Sequence, residues 1–146
     1  WVRSGFTYLM PELAADLESG HNIIATVFAE CHSMYRKEGP KAERSLGETE
    51  FVRGQAAMSA SGTFGRAKAC DALFGNVDLT LGSAVEPIIE QHIAASGGRF
   101  RGVRISSGWH ADEKVGNVTE QPNLLIDPRA NHPAYAGICR AQSASF

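Results

Sequence analysis

Ile23-Ile24-Ala25-Thr26-Val27-Phe28-Ala29 is a near-continuous apolar run rich in β-branched residues, and it ends on a polar cluster, Glu30-Cys31-His32-Ser33. This is the pattern of a strand buried on both faces of a parallel sheet. Upstream, Pro11 stands where a first-turn proline is tolerated, Leu13, Ala14 and Leu17 share a helical face, and Gly20 supplies a stop, which predicts a short helix over about residues 9–19. Downstream, Met34 to Gly47 is charged and broken by Gly39-Pro40, a long loop placed directly after the strand.

The alternation continues. Phe51, Val52, Gln55, Ala56 and Met58 suggest a helix over about 48–60, and a second strand is expected at 69–77, where Asp71, Gly75 and Asn76 argue against full burial. Ser83 and Glu86 have capping-box spacing, Pro87 is compatible with a first turn, Val85, Ile88, Ile89 and Ile93 form an apolar stripe, and Gly97-Gly98 ends this third helix. His92 flanks the stripe and is expected to face solvent. Phe100 to Ile105 reads as a third strand. Beyond Ser106 the periodicity is lost, with only Asn123 to Ile126 hinting at regular structure and no reading for 127–146.

Helix and strand thus alternate three times, which implies an α/β protein with parallel strands. No G-x-G-x-x-G or P-loop follows a strand, and Gly62-Thr63-Phe64-Gly65 follows a helix, so a phosphate-cradling doubly wound sheet is disfavoured against a (β/α)8 TIM barrel. A barrel typically takes ~250 residues. The 146 residues here offer about three βα units, the content of a partial barrel. The opening at Trp1 rather than Met suits a chain cut from something longer, although processing would look the same.

Composition narrows the partners. Hydrophobic residues make up 43% and charged residues 21%, as in ordinary globular proteins. Fourteen Lys plus Arg against sixteen Asp plus Glu, a formal charge of -2, leaves no footprint for nucleic acid or an anionic membrane, so small molecules are the expected partners. The oligomeric state has no signal. Cys31, Cys70 and Cys139 form no C-x-x-C pair and are expected to be buried thiols. No apolar run is long enough for a bilayer span and no signal peptide is evident, which places the chain in the cytoplasm as an expectation. Asn117-Val118-Thr119 is a sequon of the kind that arises often by chance.

Several segments together resemble a known family. Gly20-His21-Asn22 through Tyr35-Arg36, Gly47-Glu48-Thr49-Glu50-Phe51-Val52 with its Ala-rich helix, Asp78-Leu79-Thr80-Leu81-Gly82, and Gly98-Arg99-Phe100-Arg101-Gly102-Val103-Arg104 are similar to the amidohydrolase-related metal-dependent hydrolases of TIM-barrel fold. The branch is that of sugar-acid and pyrone-dicarboxylate lactonases, and more distantly of aromatic-acid decarboxylases. The resemblance covers about residues 8–128 and leaves 129–146 unassigned. It implies a hydrolase acting on a lactone or amide of a small carboxylated substrate with a divalent metal, zinc or manganese. A metal-dependent decarboxylase and a non-catalytic α/β binding domain are the alternatives. Such enzymes carry His-x-His on the first strand, which this chain lacks, so the metal ligands are expected mostly outside it and no residue here is assigned to the metal. The chain alone is then expected to be inactive. Family members most often show His after the arginine corresponding to Arg104, where Ile105 stands here.

In a barrel the site lies at the carboxyl ends of the strands, which points to Glu30 to His32, Asp78, and Ser106 to His110. Glu30 and His110 are the candidate catalytic groups. A strand-end carboxylate is a base or orients a hydroxyl, and a loop-facing solvated acid is the plainer alternative. His32, Tyr35, Arg104 and Trp109 are the candidate substrate contacts. His32 and His110 are also proton shuttles or ligands if folded together, yet the five His show no ligand spacing. Arg104 suits a bidentate grip on a carboxylate, or equally an ion pair with a nearby acid. Tyr35 and Arg36 belong to the long loop after the first strand, where they close over substrate or, as is more common for such a pair, are simply exposed, and Trp109 belongs to a pocket wall or is a packing anchor.

Overall fold

The computed structural model describes residues 2–3, 6–105, 112 and 114. Two short antiparallel strands, β1 (Val2–Arg3) and β2 (Phe6–Thr7), precede α1 (Met10–Leu17). Then β3 (Ala25–Ala29), α2 (Leu46–Ala60), β4 (Lys68–Gly75), α3 (Glu86–Ala95) and β5 (Phe100–Val103) alternate, and the three strands form a parallel sheet in the order β3-β4-β5. The expected α/β alternation with parallel strands is therefore present. His110, Trp109, Asn123 to Ile126 and the tail lie outside the described residues.

The sheet is covered from one side. Val52 and Ala56 of α2 and Ile88 and Ile89 of α3 pack with Cys70, Leu73 and Phe100 of the strands, and α1 joins a second apolar cluster through Met10, Leu17, Ala67 and Ala69. The opposite face is open among the described residues: Val27 is 58% and Phe74 38% exposed. The expectation that Ile23 to Ala29 is buried on both faces is thus corrected. β3 pairs with β4 along one edge, and its burial alternates along the strand as for any strand with one covered face. Its apolar character does not distinguish a covered outer face from an open one.

β4, the least regular strand in the sequence, is the central one. Cys70 adopts φ 54°, a kink that coincides with a register irregularity against β3. Gly75 is explained by what lies against it: a Cβ there would come within 2.9 Å of the Phe100 ring and 3.3 Å of His92 Nδ1. The glycine admits a close approach rather than weakening a strand.

Two local expectations change. The Ser83–Glu86 capping box does not form. The Asp78 carboxylate accepts the Thr80 N–H at 3.0 Å and its hydroxyl at 2.6 Å and starts a 3-10 turn that breaks at Gly82 (φ 61°); Ser83 lies in the short 3-10 turn beyond the kink, and α3 begins behind Val85 with no side-chain cap. His92 does not face solvent. It lies three and four residues beyond Ile89 and Ile88, on the apolar stripe itself, and is fully buried. Its Nδ1 is 2.7 Å from Thr49 Oγ1, its Nε2 3.2 Å from Ser45 Oγ, and its ring stacks on Phe100 at 5.4 Å. Hydroxyls donate or accept as required, so both ring nitrogens of a neutral imidazole are satisfied.

Burial lowers the His92 pKa from 6.5 to about 4, with a smaller contribution from the Arg36 charge. The unfolded imidazole then binds its proton through a window in which the folded one does not, and the folded state loses stability as pH falls from about 6.5 to about 4. At ~1.4 kcal/mol per pH unit the loss approaches roughly 3 kcal/mol. Urea titrations across that range are expected to show this slope in the wild type and a flatter one in His92→Gln; equal slopes would contradict it.

Candidate functional site

Glu30, the residue after β3, and Arg104, the residue after β5, meet at the carboxyl ends of the strands. The Glu30 N–H continues the ladder to Phe74 O at 3.0 Å and the Arg104 N–H to Gly75 O at 2.9 Å, so the backbone fixes both. Arg104 Nε then donates to Glu30 Oε1 at 2.9 Å, and its Nη2 donates to the Glu30 carbonyl. Asn76, beyond β4, donates from Nδ2 to Arg104 O at 3.3 Å. The Glu30 side chain is 3% exposed, whereas that of Arg104 is 57% exposed. The acid is therefore buried, not the solvated group of the plainer reading, and the cation sits above it with much of its surface in solvent.

His32 completes the group. Its Nε2 is 3.0 Å from Glu30 Oε2, its side chain is 63% exposed, and its ring stacks on Tyr35 at 5.8 Å. The separation is an ion-pair distance, but the approach is off the hydrogen-bond direction, and Oε2 has no hydrogen-bond donor among the described residues. His32 holds φ 59° and Met34 φ 55°, two left-handed non-glycine residues within three positions. Each such residue costs of order 1 kcal/mol and persists only where its surroundings over-determine it.

Glu48, in the first turn of α2, supplies that constraint. Its Oε1 accepts the Ser33 N–H at 2.9 Å, the Cys31 N–H at 3.1 Å, and the Ser33 hydroxyl and Cys31 thiol at 3.3 Å each. Gly47 lets the loop lie this close, since a Cβ there would stand 2.4 Å from Met34 O and 2.7 Å from Arg36 N. Arg36 itself pairs with Glu50 on the surface and does not face Glu30. Burial, reinforced by the charges of Glu48 and Glu30, raises the Tyr35 pKa, so the phenol stays protonated. Burial likewise raises the Cys31 thiol, which acts as a hydrogen-bond donor rather than a thiolate nucleophile.

Of the candidates read from the sequence, Glu30, His32, Tyr35 and Arg104 thus come together at one end of the sheet. Asp78 is committed to its 3-10 cap, and His110 and Trp109 lie outside the described residues. Glu48, Cys31 and Ser33 were missed as a supporting set. The available signal was Gly47-Glu48, a small residue and an acid at a helix start directly after the loop, which reads just as well as a favourable charge on the helix dipole. Among the described residues no group of three or more His, Cys, Asp or Glu is disposed to hold a metal ion, so they do not fit the divalent metal that the resemblance implies. No helix among them is long and apolar enough to cross a membrane. The cluster offers instead an exposed imidazole backed by a buried carboxylate, beside a half-exposed guanidinium.

No family model, curated protein or solved structure matches the chain.

Removing the charge in Glu48→Gln weakens four hydrogen bonds to one oxygen, and Gly47→Ala forces the loop off the helix. Each is expected to cost about 2 kcal/mol, within the range for charge-assisted bonds and overpacking. Each should also speed tryptic cleavage at Arg36 and Lys37 under native conditions. Unchanged denaturation midpoints and cleavage rates would show that the loop is held by something else.

Proposed function

We propose that the Glu30–His32–Arg104 cluster is one wall of the active site of a hydrolase that opens a lactone or amide of a small carboxylated substrate, and that the chain is a segment of a (β/α)8 barrel of the amidohydrolase-related type. The observation that carries this reading is the convergence, from the carboxyl ends of two parallel strands, of a buried acid, an exposed imidazole and an exposed cation. The one-sided cover of the sheet supports the barrel. In a doubly wound sheet helices lie on both faces, whereas in a barrel they lie outside and the inner strand face meets other strands. The open face carrying Val27 and Phe74 suits the second arrangement.

The chemistry follows from the placement. Glu30 Oε2 lies 3.0 Å from His32 Nε2, and a small rotation of the exposed imidazole would turn this approach into a hydrogen bond that puts the proton on Nε2 and leaves Nδ1 as the base. A water that gives its proton to Nδ1 attacks the substrate carbonyl carbon. As the C–O or C–N bond breaks, the imidazolium returns that proton to the leaving oxygen or nitrogen, and Glu30 offsets the transient positive charge. Arg104, with Nε and Nη2 on Glu30, presents the remainder of its guanidinium to the substrate carboxylate. The zinc or manganese of the resembled family would have its ligands on segments other than the described residues, and its role is left outside this sequence of steps.

The test is turnover by the full-length protein that contains this chain, with ring-carboxylated lactones and amides as substrates. His32→Gln is expected to lower kcat about 100-fold or more with little change in KM, the usual contribution of a positioned base. Arg104→Gln should chiefly raise KM. Release of CO₂ would assign a decarboxylase instead, and saturable ligand binding without product a binding domain.

A further inference from the structure

At the other end of the sheet, where the strands begin, we propose a second site that binds a phosphorylated small molecule in a cationic cleft formed by Arg66, Lys68 and Arg99. The cleft has a volume of about 490 Å³ and is floored by small residues, among them the buried Ala67 and Ala69. Three cations and one acid, Asp71, line it, while the Glu18 carboxylate stands against Gly65 and the Arg53 guanidinium beside Arg99, so four positive and two negative charges meet there in a chain whose total is -2. The excess of two positive charges matches a phosphate dianion.

The cations are held without being neutralised. Arg66 Nη2 donates to Asn22 Oδ1 at 3.0 Å, and Arg99 Nη1 donates to Gly97 O at 3.3 Å, both neutral acceptors. None of the three forms a salt bridge with a carboxylate among the described residues. Arg53 adds to the field from α2: its Nε and Arg99 Nη1 both lie within 3.5 Å of the point a Gly97 Cβ would occupy, and Arg53 Nη1 reaches the Ala95 carbonyl at 3.5 Å. Like charges gathered in this way repel one another unless an anion joins them. The carboxyl end of α2 opposes an anion with about half a charge, which the two-charge excess outweighs.

Guanidinium forks favour phosphoryl oxygens over a point contact, and the volume exceeds what one phosphate needs, leaving room for the group that bears it. The cleft shares no lining residue with the Glu30 cluster, so this inference is independent of the hydrolase reading.

Calorimetric titration and thermal melts of the whole chain with glycerol 3-phosphate, pyrophosphate and inorganic phosphate test it, against sodium chloride at matched ionic strength. Each phosphate is expected to raise Tm, with glycerol 3-phosphate binding more tightly than inorganic phosphate. Lys68→Gln combined with Arg99→Gln should weaken binding at least tenfold, and Asp71→Asn should strengthen it several-fold. An equal shift with chloride, unchanged affinity in the double variant, or binding of inorganic phosphate alone would overturn the proposal. If the double variant does not fold, Asp71→Asn decides: unchanged or weaker binding overturns it.

Discussion

The buried carboxylate of Glu48 is the constraint on which the candidate site depends. Four donors from Cys31 and Ser33 converge on one of its oxygens, and between them His32 is held at a backbone angle it would not adopt in a relaxed loop. A neutral acceptor would offer weaker bonds, and a solvated one would not oblige the loop to bend. Burying a carboxylate is costly unless it is hydrogen-bonded, and the loop brings its four donors to Oε1 while Oε2 has no hydrogen-bond partner among the described residues.

The first turn of α2 faces two directions. Ser45 and Thr49, four residues apart, lie on one side of α2 and hold His92 of α3, while Gly47 and Glu48 point toward the loop after β3. Ser45 occupies the N-cap position, but its hydroxyl is engaged by His92 and caps nothing. A cap worth ~1 kcal/mol is given up for a buried bond between helices. The loop that carries His32 and the core around Phe100 are thereby braced by one helical turn. His92 in turn requires Gly75, and Gly75 ends the strand beyond which Asn76 supports Arg104. The strand-end cluster is thus linked to the core by packing on the β4 side and by hydrogen bonds on the α2 side.

The sequence showed the alternation, the parallel strands and the position of Glu30, because strand runs, first-turn prolines and terminal glycines are local signals. It also pointed to Arg104 and His32, since both lie at the ends of apolar runs. What it could not show depended on contacts distant in the chain. Glu48 lies fifteen residues from Ser33, and its role exists only once the loop folds back. His92 is hidden for a different reason: its spacing from Ile88 and Ile89 places it on the stripe, but its polar residue type points to solvent. Ser83–Glu86 had the right spacing, but the chain kinks at Gly82 and runs as a 3-10 turn through Ser83, so Val85 and not Ser83 stands at the N-cap of α3. Whether the outer face of β3 is covered leaves no local trace, because an apolar residue is equally suited to a core or to an unfilled interior.

That open face connects the fold to the site. Burying a side chain such as Val27 or Phe74 is worth ~1.5–3 kcal/mol, a large fraction of a small domain's stability, so an apolar face left in water is a considerable sacrifice for a sheet of three strands. Strands at the sheet edges carry the same cost in unpaired backbone groups. Glu30 and Arg104 stand at the carboxyl ends of the two outer strands of the same sheet. In the proposed barrel, the segments that cover Val27 and Phe74 would also bring the opposite wall to His32. Closing the sheet and completing the pocket would then be one event, and the exposed imidazole would pass from bulk solvent into a confined site where a buried carboxylate behind it has its full electrostatic effect.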